Sequence, residues 1–251
     1  MDAMEPGRAA RAAAATPPAT RVMMATEPGS PDWPNEDFAA AAPGAAVLLD
    51  GATTLPRGAR TGCIHGVAWY ARTLGTTLLA EITATPPVPL PDGLGAAITV
   101  VRDRHAGTCD LSHPATPAAT VTALRAGPDG LSYLALSDSS IVADYGPDRP
   151  PVVITDPARA AGADPAAARA ATAGLLDPAG LRGVALLSDG ATRAADRFGT
   201  LDWPALLDLV RADPAALIRG VRAAEAADPD AARWPRVKLS DDATVLWWPV
   251  G

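Results

Sequence analysis

The sequence predicts an α+β layered sandwich, in which blocks of strands alternate with a few longer helices. Short apolar runs bounded by turn residues recur along the chain, and they follow one another too closely for parallel βαβ crossovers. Longer segments with an apolar period of 3.6 residues fall between these blocks and predict helices. The 251 residues suffice for one large domain. We place this domain in residues 21–251, after a lead-in over residues 1–20 that we expect to be disordered.

Eight short segments have the apolar, β-branched composition of strands. They cover residues 46–50, 96–102, 119–125, 131–136, 141–145, 152–155, 184–188 and 244–248. The three between 119 and 145 are joined by Pro-Asp-Gly and Ser-Asp-Ser, which are turn sequences, and predict an antiparallel meander.

Three segments predict helices. Residues 63–83 carry an apolar stripe at helical spacing, and residues 158–173 are rich in alanine. Residues 203–227 predict two helices that are separated at Asp213-Pro214, where Asp213 can cap the second helix and Pro214 can occupy its first turn.

Charge and composition exclude several classes of partner. The net charge of −7 argues against nucleic acid, because phosphate backbones are usually bound by a basic surface. No run of about 18 apolar residues is present, so we expect no membrane contact, and the N-terminus lacks the apolar core of a secretory signal. The two cysteines, Cys63 and Cys109, lack C-x-x-C spacing, which suggests neither a zinc knuckle nor a disulfide framework. We therefore expect a cytoplasmic protein.

Two apolar strands each end in the same four residues, Asp-Gly-Ala-Thr. The first follows "AVLL" and begins at Asp50, and the second follows "GVALLS" and begins at Asp189. Asp-Gly alone is a common turn sequence. Its repetition at the ends of two predicted core strands indicates a shared ligand.

Two acidic pairs lie at other predicted strand boundaries, Glu36-Asp37 and Asp241-Asp242. Each pair alone could be a solvated turn. Together with Asp50 and Asp189 they offer the oxygen ligands that Mg²⁺ and Mn²⁺ prefer. Two such ions can share one carboxylate and activate a water for attack on phosphorus.

An ordered series of motifs resembles the metal-dependent serine/threonine protein phosphatase 2C family over about residues 20–249. The motifs are NED at 35–37, LLDGA at 48–52, ATVTAL at 119–124, LALSDSSIV at 134–142, LLSDGAT at 186–192 and DDATVLWW at 241–248. The resemblance implies a four-layer α-β-β-α sandwich of two antiparallel sheets. It also implies a centre of two Mn²⁺ or Mg²⁺ ions at one edge.

The resemblance also implies roles for individual residues. Asp50 would bridge both ions, and Asp189 and Asp241 would bind the first ion. Glu36 and the carbonyl group of Gly51 would bind the second ion, while Asp37 would hold a water of the centre by hydrogen bonds. Asp37 and Asp50 are thus the expected catalytic residues. Asp138, in the turn LSDSS, is expected to be structural.

The sequence departs from the family pattern around the expected phosphate site. Asp32 stands where the family commonly has a phosphate-binding arginine, so Arg57 or Arg60 would have to serve instead. Ala52, Thr53 and Thr54 replace a glycine pair. The remaining positions are less constrained: His65 or His113 could replace a histidine that acts as general acid, and Asp110 could bind a third ion.

Three functions are compatible with these observations. The first is a monomeric phosphoserine/phosphothreonine phosphatase that acts on phosphoproteins. The second is a phosphatase-like regulatory or binding module with weak catalysis, which Asp32 and the missing glycines favour. The third is an ordinary ligand-binding sandwich whose acidic turns are structural.

Overall fold

A computed structural model describes residues 21–52, 62–156 and 160–250 of the chain. The strands are β1 (Met23–Glu27), β2 (Phe38–Ala42), β3 (Ala45–Ala52), β4 (Ala118–Gly127), β5 (Gly130–Leu136), β6 (Ser140–Asp144), β7 (Val152–Ile154), β8 (Thr172–Leu175), β9 (Gly183–Leu187) and β10 (Ala243–Pro249). The helices are α1 (Gly66–Thr83), α2 (Leu90–His105), α3 (Asp189–Asp196), α4 (Trp203–Ala212) and α5 (Pro214–Ala226), and a 3-10 helix spans Pro165–Ala170.

The strands form two five-stranded antiparallel sheets. Sheet I has the order β2-β3-β4-β5-β8, and sheet II has the order β1-β10-β9-β6-β7. Consecutive strands pair in most of sheet I, whereas β10 from the end of the chain lies between β1 and β9 in sheet II. Antiparallel pairing places the end of one strand beside the start of its neighbour, which matters for the acidic residues below.

Three apolar clusters define four layers. Helices α1 and α2 cover the outer face of sheet I, and helices α3, α4 and α5 cover the outer face of sheet II. The third cluster fills the space between the sheets. In β3, Val47 and Leu49 face the helices while Ala46 and Leu48 face the other sheet. A strand buried on both faces is apolar throughout rather than alternating, which explains the sequence "AAVLL". The predicted α-β-β-α sandwich is confirmed.

The two helices predicted on either side of Asp213 are confirmed. The Asp213 side chain accepts a hydrogen bond from the backbone N–H of Ala215 (3.0 Å), and Pro214 occupies the first turn of α5. Asp202 caps α4 in the same way through the N–H of Ala205 (2.8 Å). These side chains satisfy N–H groups that have no partner within the helix.

Three predicted elements are wrong. Residues 96–102 belong to α2 rather than to a strand, because their apolar side chains continue a helical stripe of buried residues from Leu90. Residues 158–173 do not form one α-helix: residues 157–159 lie outside the described part, and a 3-10 helix is followed by β8. Strand β6 does not continue the meander. The chain leaves sheet I after β5, and β6 pairs with β7 and β9 in sheet II.

The sequence prediction did not include strands β1, β2 and β8 or helix α3, which begins at Asp189. The expected lead-in over residues 1–20 lies outside the described residues. Within the described part of the chain, none of the helices combines the length and apolar character that a membrane span requires.

Candidate metal centre

Strand pairing brings the predicted acidic residues to one edge of the sandwich. In sheet I, Phe38 pairs with Leu49, so the residues just before β2 lie beside Asp50 and Gly51. The N–H of Gly51 donates to the carbonyl oxygen of Glu36 (3.1 Å). In sheet II, the N–H of Ser188 donates to the carbonyl oxygen of Thr244 (3.1 Å). The start of α3 therefore lies beside the residues that precede β10.

Four carboxyl groups interact electrostatically at this edge: Asp37, Asp50, Asp189 and Asp241. Burial raises the pKa of Asp50 well above its usual value, and the charges of the other three raise it further. Burial and the charge of Asp241 likewise raise the pKa of Asp189, which shares a hydrogen bond with Asp50. Buried carboxylates of like charge destabilise one another. Ionising all of these groups is therefore unfavourable unless a bound cation offsets their charge.

The Asp37 carboxyl group is buried with little hydrogen bonding from the described residues. Both of its carboxyl oxygens are buried, and no described residue meets both the distance and the angle of a hydrogen bond to either, although the hydroxyl groups of Thr244 and Ser188 lie close enough to act on the carboxyl group. Burial raises its pKa to about 7, with smaller opposing effects from the hydroxyl groups of Thr244 and Ser188. Buried polar atoms without a partner are uncommon and point to a ligand or water. This observation shows that the acidic edge fits divalent cations and their water.

Asp241 already has two cationic partners. Lys238 Nζ lies 2.7 Å from Asp241 Oδ1, and an Arg193 guanidinium nitrogen lies 3.3 Å from Oδ2. Arg193 also pairs with Glu225 at 2.7 Å. The side chains of Arg193, Glu225 and Asp241 are buried, whereas that of Lys238 is about half exposed. Burial alone would lower the pKa of Lys238. The hydrogen bond and charge of Asp241, and to a smaller extent the charges of Asp50 and Asp189, outweigh burial and raise this pKa.

A cavity of about 650 Å³ opens beside Asp189 and Asp241. Its wall is mainly charged and includes Arg193, Asp196, Arg197, Arg236 and Lys238. A cavity that joins carboxylates to several cationic side chains can hold both a metal ion and an anionic ligand.

The position of Glu36 depends on Asp242. The Asp242 carboxylate accepts hydrogen bonds from the N–H groups of Gly29 (2.7 Å) and Glu36 (2.9 Å). Only glycine fits at position 51, because a Cβ there would lie 2.5 Å from Val67 Cγ1 and 2.6 Å from the carbonyl oxygen of Glu36. Asp242 and Gly51 therefore fix the backbone of the acidic pair Glu36-Asp37 against β3.

The other residues that the sequence singled out for the site do not all fall within the described part of the chain. Arg57 and Arg60, together with Thr53 and Thr54, lie outside the described residues. Asp32 is exposed. Asp138 is exposed in the turn between β5 and β6, where its charge helps to raise the pKa of Asp189 after the larger effects of burial and Asp241.

The residues considered as general acid or third-ion ligand have other neighbours. His65 lies beside Cys63 and Cys109. His113 Nδ1 accepts a hydrogen bond from the N–H of Ala115 (3.1 Å), and the Asp110 carboxylate accepts from the N–H (3.0 Å) and hydroxyl (2.6 Å) of Ser112.

Sequence reasoning missed Arg193, Lys238 and the structural role of Asp242. Arg193 lies four residues after Asp189, so predicting α3 would have placed both on one helix face. Lys238 lies three residues before Asp241, and its partner could not be inferred because the segment has no periodic pattern.

Neither the protein-family models nor the curated proteins include a match to this sequence. Solved structures do match in fold. The PPM Ser-Thr phosphatase MsPP from Mycobacterium smegmatis, in complex with cacodylate, is 20% identical with a TM-score of 0.61, covering 92% of this chain and 98% of that one. The catalytic domain of the serine/threonine phosphatase PstP, in complex with two manganese ions, is 14% identical with a TM-score of 0.54, covering 91% and 97%. PppA, a regulatory component of T6SS in Pseudomonas aeruginosa, is 19% identical with a TM-score of 0.53, covering 90% and 96%.

At these identities the similarity is one of fold, and it extends over nearly the whole of each chain. The resemblance of the sequence motifs to the phosphatase 2C family is thereby confirmed at the level of architecture. The chain has the fold of the PPM serine/threonine phosphatases.

Proposed function

We propose that this protein is a metal-dependent phosphatase that hydrolyses phosphoserine and phosphothreonine in proteins. The observation that carries the proposal is the convergence of Asp37, Asp50, Asp189 and Asp241 from separate elements at one edge of the sandwich. The unpartnered oxygens of Asp37 support it. The fold supports it as well, since solved proteins with this fold are serine/threonine phosphatases.

Two Mn²⁺ or Mg²⁺ ions are the proposed cofactors. Asp50 would contact both ions, Asp189 and Asp241 the first, and Glu36 with the carbonyl group of Gly51 the second. When bound, such ions supply Lewis-acid stabilisation of the phosphoryl oxygens and lower the pKa of water. The PstP structure with two manganese ions supports this number and choice of metal.

The protein's own residues then orient the reactants. The Asp37 carboxyl oxygens accept no well-formed hydrogen bond from a described residue, so they can accept hydrogen bonds from the attacking water and hold it in place. The phosphate dianion needs cationic contacts, and Lys238 on the cavity wall is one candidate. Arg57 and Arg60, which follow the Asp50 strand in the sequence, remain candidates for the same role.

Turnover of a phosphopeptide and of p-nitrophenyl phosphate with added Mn²⁺ tests the proposal. We expect activity that a chelator abolishes, and we expect Asp189→Asn to lose about 100-fold or more. Asp208→Asn is the matched control. Asp208 is exposed and, among the described residues, forms an ion pair with Arg211 at the surface, so this variant removes one negative charge away from the acidic edge. Equal activity of the Asp189→Asn and Asp208→Asn variants would contradict the proposal.

A phosphatase-like binding module with weak catalysis is the second candidate. The Lys238 ammonium group pairs with Asp241 and interacts with Asp50 and Asp189, so it offsets part of the charge that metal ions would offset. The module predicts Mn²⁺ binding by calorimetry without turnover. If Lys238 is the cause, Lys238→Met should tighten Mn²⁺ binding and restore turnover.

The phosphoprotein substrate, the monomeric state and the cytoplasmic location complete the proposal. They follow from the sequence and from the class of enzyme proposed. Size-exclusion chromatography with light scattering tests the oligomeric state. The substrate class is tested by comparing the phosphoproteins of cells that carry the wild-type protein with those of cells that carry Asp189→Asn in its place.

A further inference from the structure

A second group of metal-binding side chains lies outside the acidic edge. It contains both cysteines of the chain and two of its three histidines: Cys63, His65, His105 and Cys109. Each offers a ligand atom, and these four atoms all lie within 4.8 Å of one another. We call this group the Cys/His cluster.

The helical hairpin of α1 and α2 assembles the cluster. Cys63 and His65 directly precede α1, whereas His105 is the last residue of α2 and Cys109 follows it. Because the two helices run in opposite directions, the start of one lies beside the end of the other. The N–H of Cys109 donates to the carbonyl oxygen of His105 (2.9 Å), which turns the chain back toward the helix end.

A backbone hydrogen bond holds the two segments together. The N–H of Asp110 donates to the carbonyl oxygen of Gly62 (2.8 Å), directly beside both cysteines. Gly62 has a φ of +71°, a conformation that favours glycine, and a Cβ there would lie 2.9 Å from the side chain of His113. The backbone is therefore shaped so that the two short segments approach closely.

The sulfur–nitrogen distances match those around a tetrahedral ion. His65 Nδ1 lies 3.8 Å from Cys63 Sγ and 3.4 Å from Cys109 Sγ, and His105 Nδ1 lies 3.7 Å from Cys63 Sγ. Zinc–sulfur bonds of about 2.3 Å and zinc–nitrogen bonds of about 2.0–2.1 Å at a tetrahedral angle place sulfur and nitrogen about 3.6 Å apart. The two sulfurs are 3.0 Å apart, longer than the roughly 2.05 Å of a disulfide. An ion between them would move them apart by several tenths of an ångström.

The surroundings of the cluster favour a bound ion over a solvated turn. His105 is completely buried, and its Nδ1 faces the sulfur of Cys63. The His65 ring stacks on Trp69 with 4.0 Å between the ring centroids, and Trp69 also contacts the ring of His105. Aromatic packing fixes both imidazoles, and an ion held by Nδ1 would help to compensate the burial of the polar His105 ring.

We propose that Cys63, His65, His105 and Cys109 bind one Zn²⁺ ion through two thiolates and two imidazoles. Two sulfur and two nitrogen ligands in tetrahedral arrangement are typical of closed structural zinc sites. Binding displaces the two thiol protons to solvent, so no oxidant or reductant is involved. The ion ties the start of α1 to the end of α2 and closes a loop of more than forty residues.

This clip also supports the acidic edge. Val67, two residues after His65, occupies the space beside Gly51 that a larger residue would need. The zinc ion would thus fix the first turn of α1 where it packs on the end of β3. The role is structural, and it holds whether or not the acidic edge is catalytic.

Metal analysis of the purified full chain, expressed with zinc available, tests the proposal. We expect one zinc per chain after dialysis against a weak chelator. We expect Cys109→Ser and His105→Gln to lose the zinc. Their Tm should fall by roughly 8 °C when it is compared with that of the wild-type chain at a zinc concentration far above the Kd. His113→Gln is the matched control, since His113 is the one histidine outside the cluster, and it should retain zinc.

Cobalt substitution keeps the test independent of how the variants fold. Co²⁺ in the wild-type chain should give the thiolate charge-transfer and ligand-field bands of a tetrahedral thiolate site. Asp189→Asn should retain both the zinc and these bands, which separates this site from the acidic edge. Substoichiometric zinc together with a cobalt spectrum lacking the thiolate band would overturn the proposal. So would a Cys63–Cys109 disulfide in protein purified under reducing conditions.

Discussion

Asp50 has an environment that is hard to explain without a bound cation. It is surrounded by the carboxyl groups of Asp37, Asp189 and Asp241, and the charge of Lys238 opposes them. A neutral amide of the same shape would remove this repulsion. We therefore expect Asp50→Asn to raise the Tm of the metal-free protein at neutral pH and to abolish stabilisation by Mn²⁺. Differential scanning fluorimetry with and without Mn²⁺ measures both effects.

The outcome separates a metal site from a structural acidic turn. A structural carboxylate loses hydrogen bonds when it is replaced, so Asp50→Asn would then lower the Tm regardless of metal. Asp208→Asn, at the exposed surface of α4, controls for the general effect of removing one negative charge.

Gly51 is a residue at this edge whose small size the fold requires. In Gly51→Ala the new Cβ would overlap Val67 Cγ1 and the carbonyl oxygen of Glu36. We expect a loss of about 1–3 kcal/mol of unfolding free energy and a weaker response to Mn²⁺. Gly220→Ala is the matched control. No atom lies within 4 Å of a Cβ at that helical position, so it should stabilise the protein by up to about 1 kcal/mol. Urea denaturation compares the two.

For single residues, the sequence predicted which carboxyl groups lie at the acidic edge better than it predicted which side chains contact one another. Asp50 and Asp189 share the sequence Asp-Gly-Ala-Thr and each follows a buried strand, so their common location followed from a visible pattern. Lys238 lies in a segment without regular structure, and its pairing with Asp241 depends on tertiary packing. Cys63 and His105 are 42 residues apart, and only the hairpin of α1 and α2 brings them together.

At the scale of elements, α5 offers a direct test of local structure. Asp213 accepts the N–H of Ala215 and is the N-cap residue of α5. We expect Asp213→Ala to cost about 1 kcal/mol of unfolding free energy, because an N–H in the first turn loses its partner. Asp208→Ala, inside α4 and exposed, should change stability by less than about 0.5 kcal/mol. Equal losses in urea denaturation would show that the cap contributes nothing.

The elements that the sequence mispredicted were decided by tertiary contacts. Residues 96–102 include Ile98, Thr99 and Val101, which have high strand propensity. They are helical because Leu94, Ile98 and Val101 lie on one face that packs against sheet I and α1. Strand β6 follows β5 after a turn of three residues, as a hairpin strand would. Ser137 has a φ of +73° in that turn, and the chain crosses to sheet II.

At the scale of the whole molecule, the fold class was predictable because it depends on many weak signals that agree. Strands such as β3 are apolar throughout because helices cover one face and the other sheet covers the opposite face. The site at the edge was only partly predictable. Its acidic residues come from β3, from the start of α3 and from the segments before β2 and β10, so their distances depend on how the two sheets pack.

The buried carboxyl groups make stability depend on pH in a direction opposite to that of most acidic groups. Folding raises the pKa of Asp37 from 3.8 to about 7, and it raises the pKa values of Asp50 and Asp189 as well. Between pH 3.8 and about pH 7 the folded protein binds more protons than the unfolded chain. The stability of the protein without Mn²⁺ or Mg²⁺ must therefore fall as pH rises from about 4 to about 7. The lowered pKa of the buried His105 opposes this change only near pH 6.5.

Mn²⁺ should reverse this dependence, because it binds the ionised carboxylates and competes with protons at low pH. Protein dialysed free of Mn²⁺ and Mg²⁺ should lose roughly 3 kcal/mol of unfolding free energy from Asp37 alone between about pH 5 and pH 8. Protein with saturating Mn²⁺ should gain stability over the same range. Urea denaturation across this range tests both curves, and Asp37→Asn should flatten the first. If stability without these metals instead rose steadily from pH 5 to pH 8, the four carboxyl groups would already be compensated by the protein itself. The acidic edge would then have no need of a metal ion.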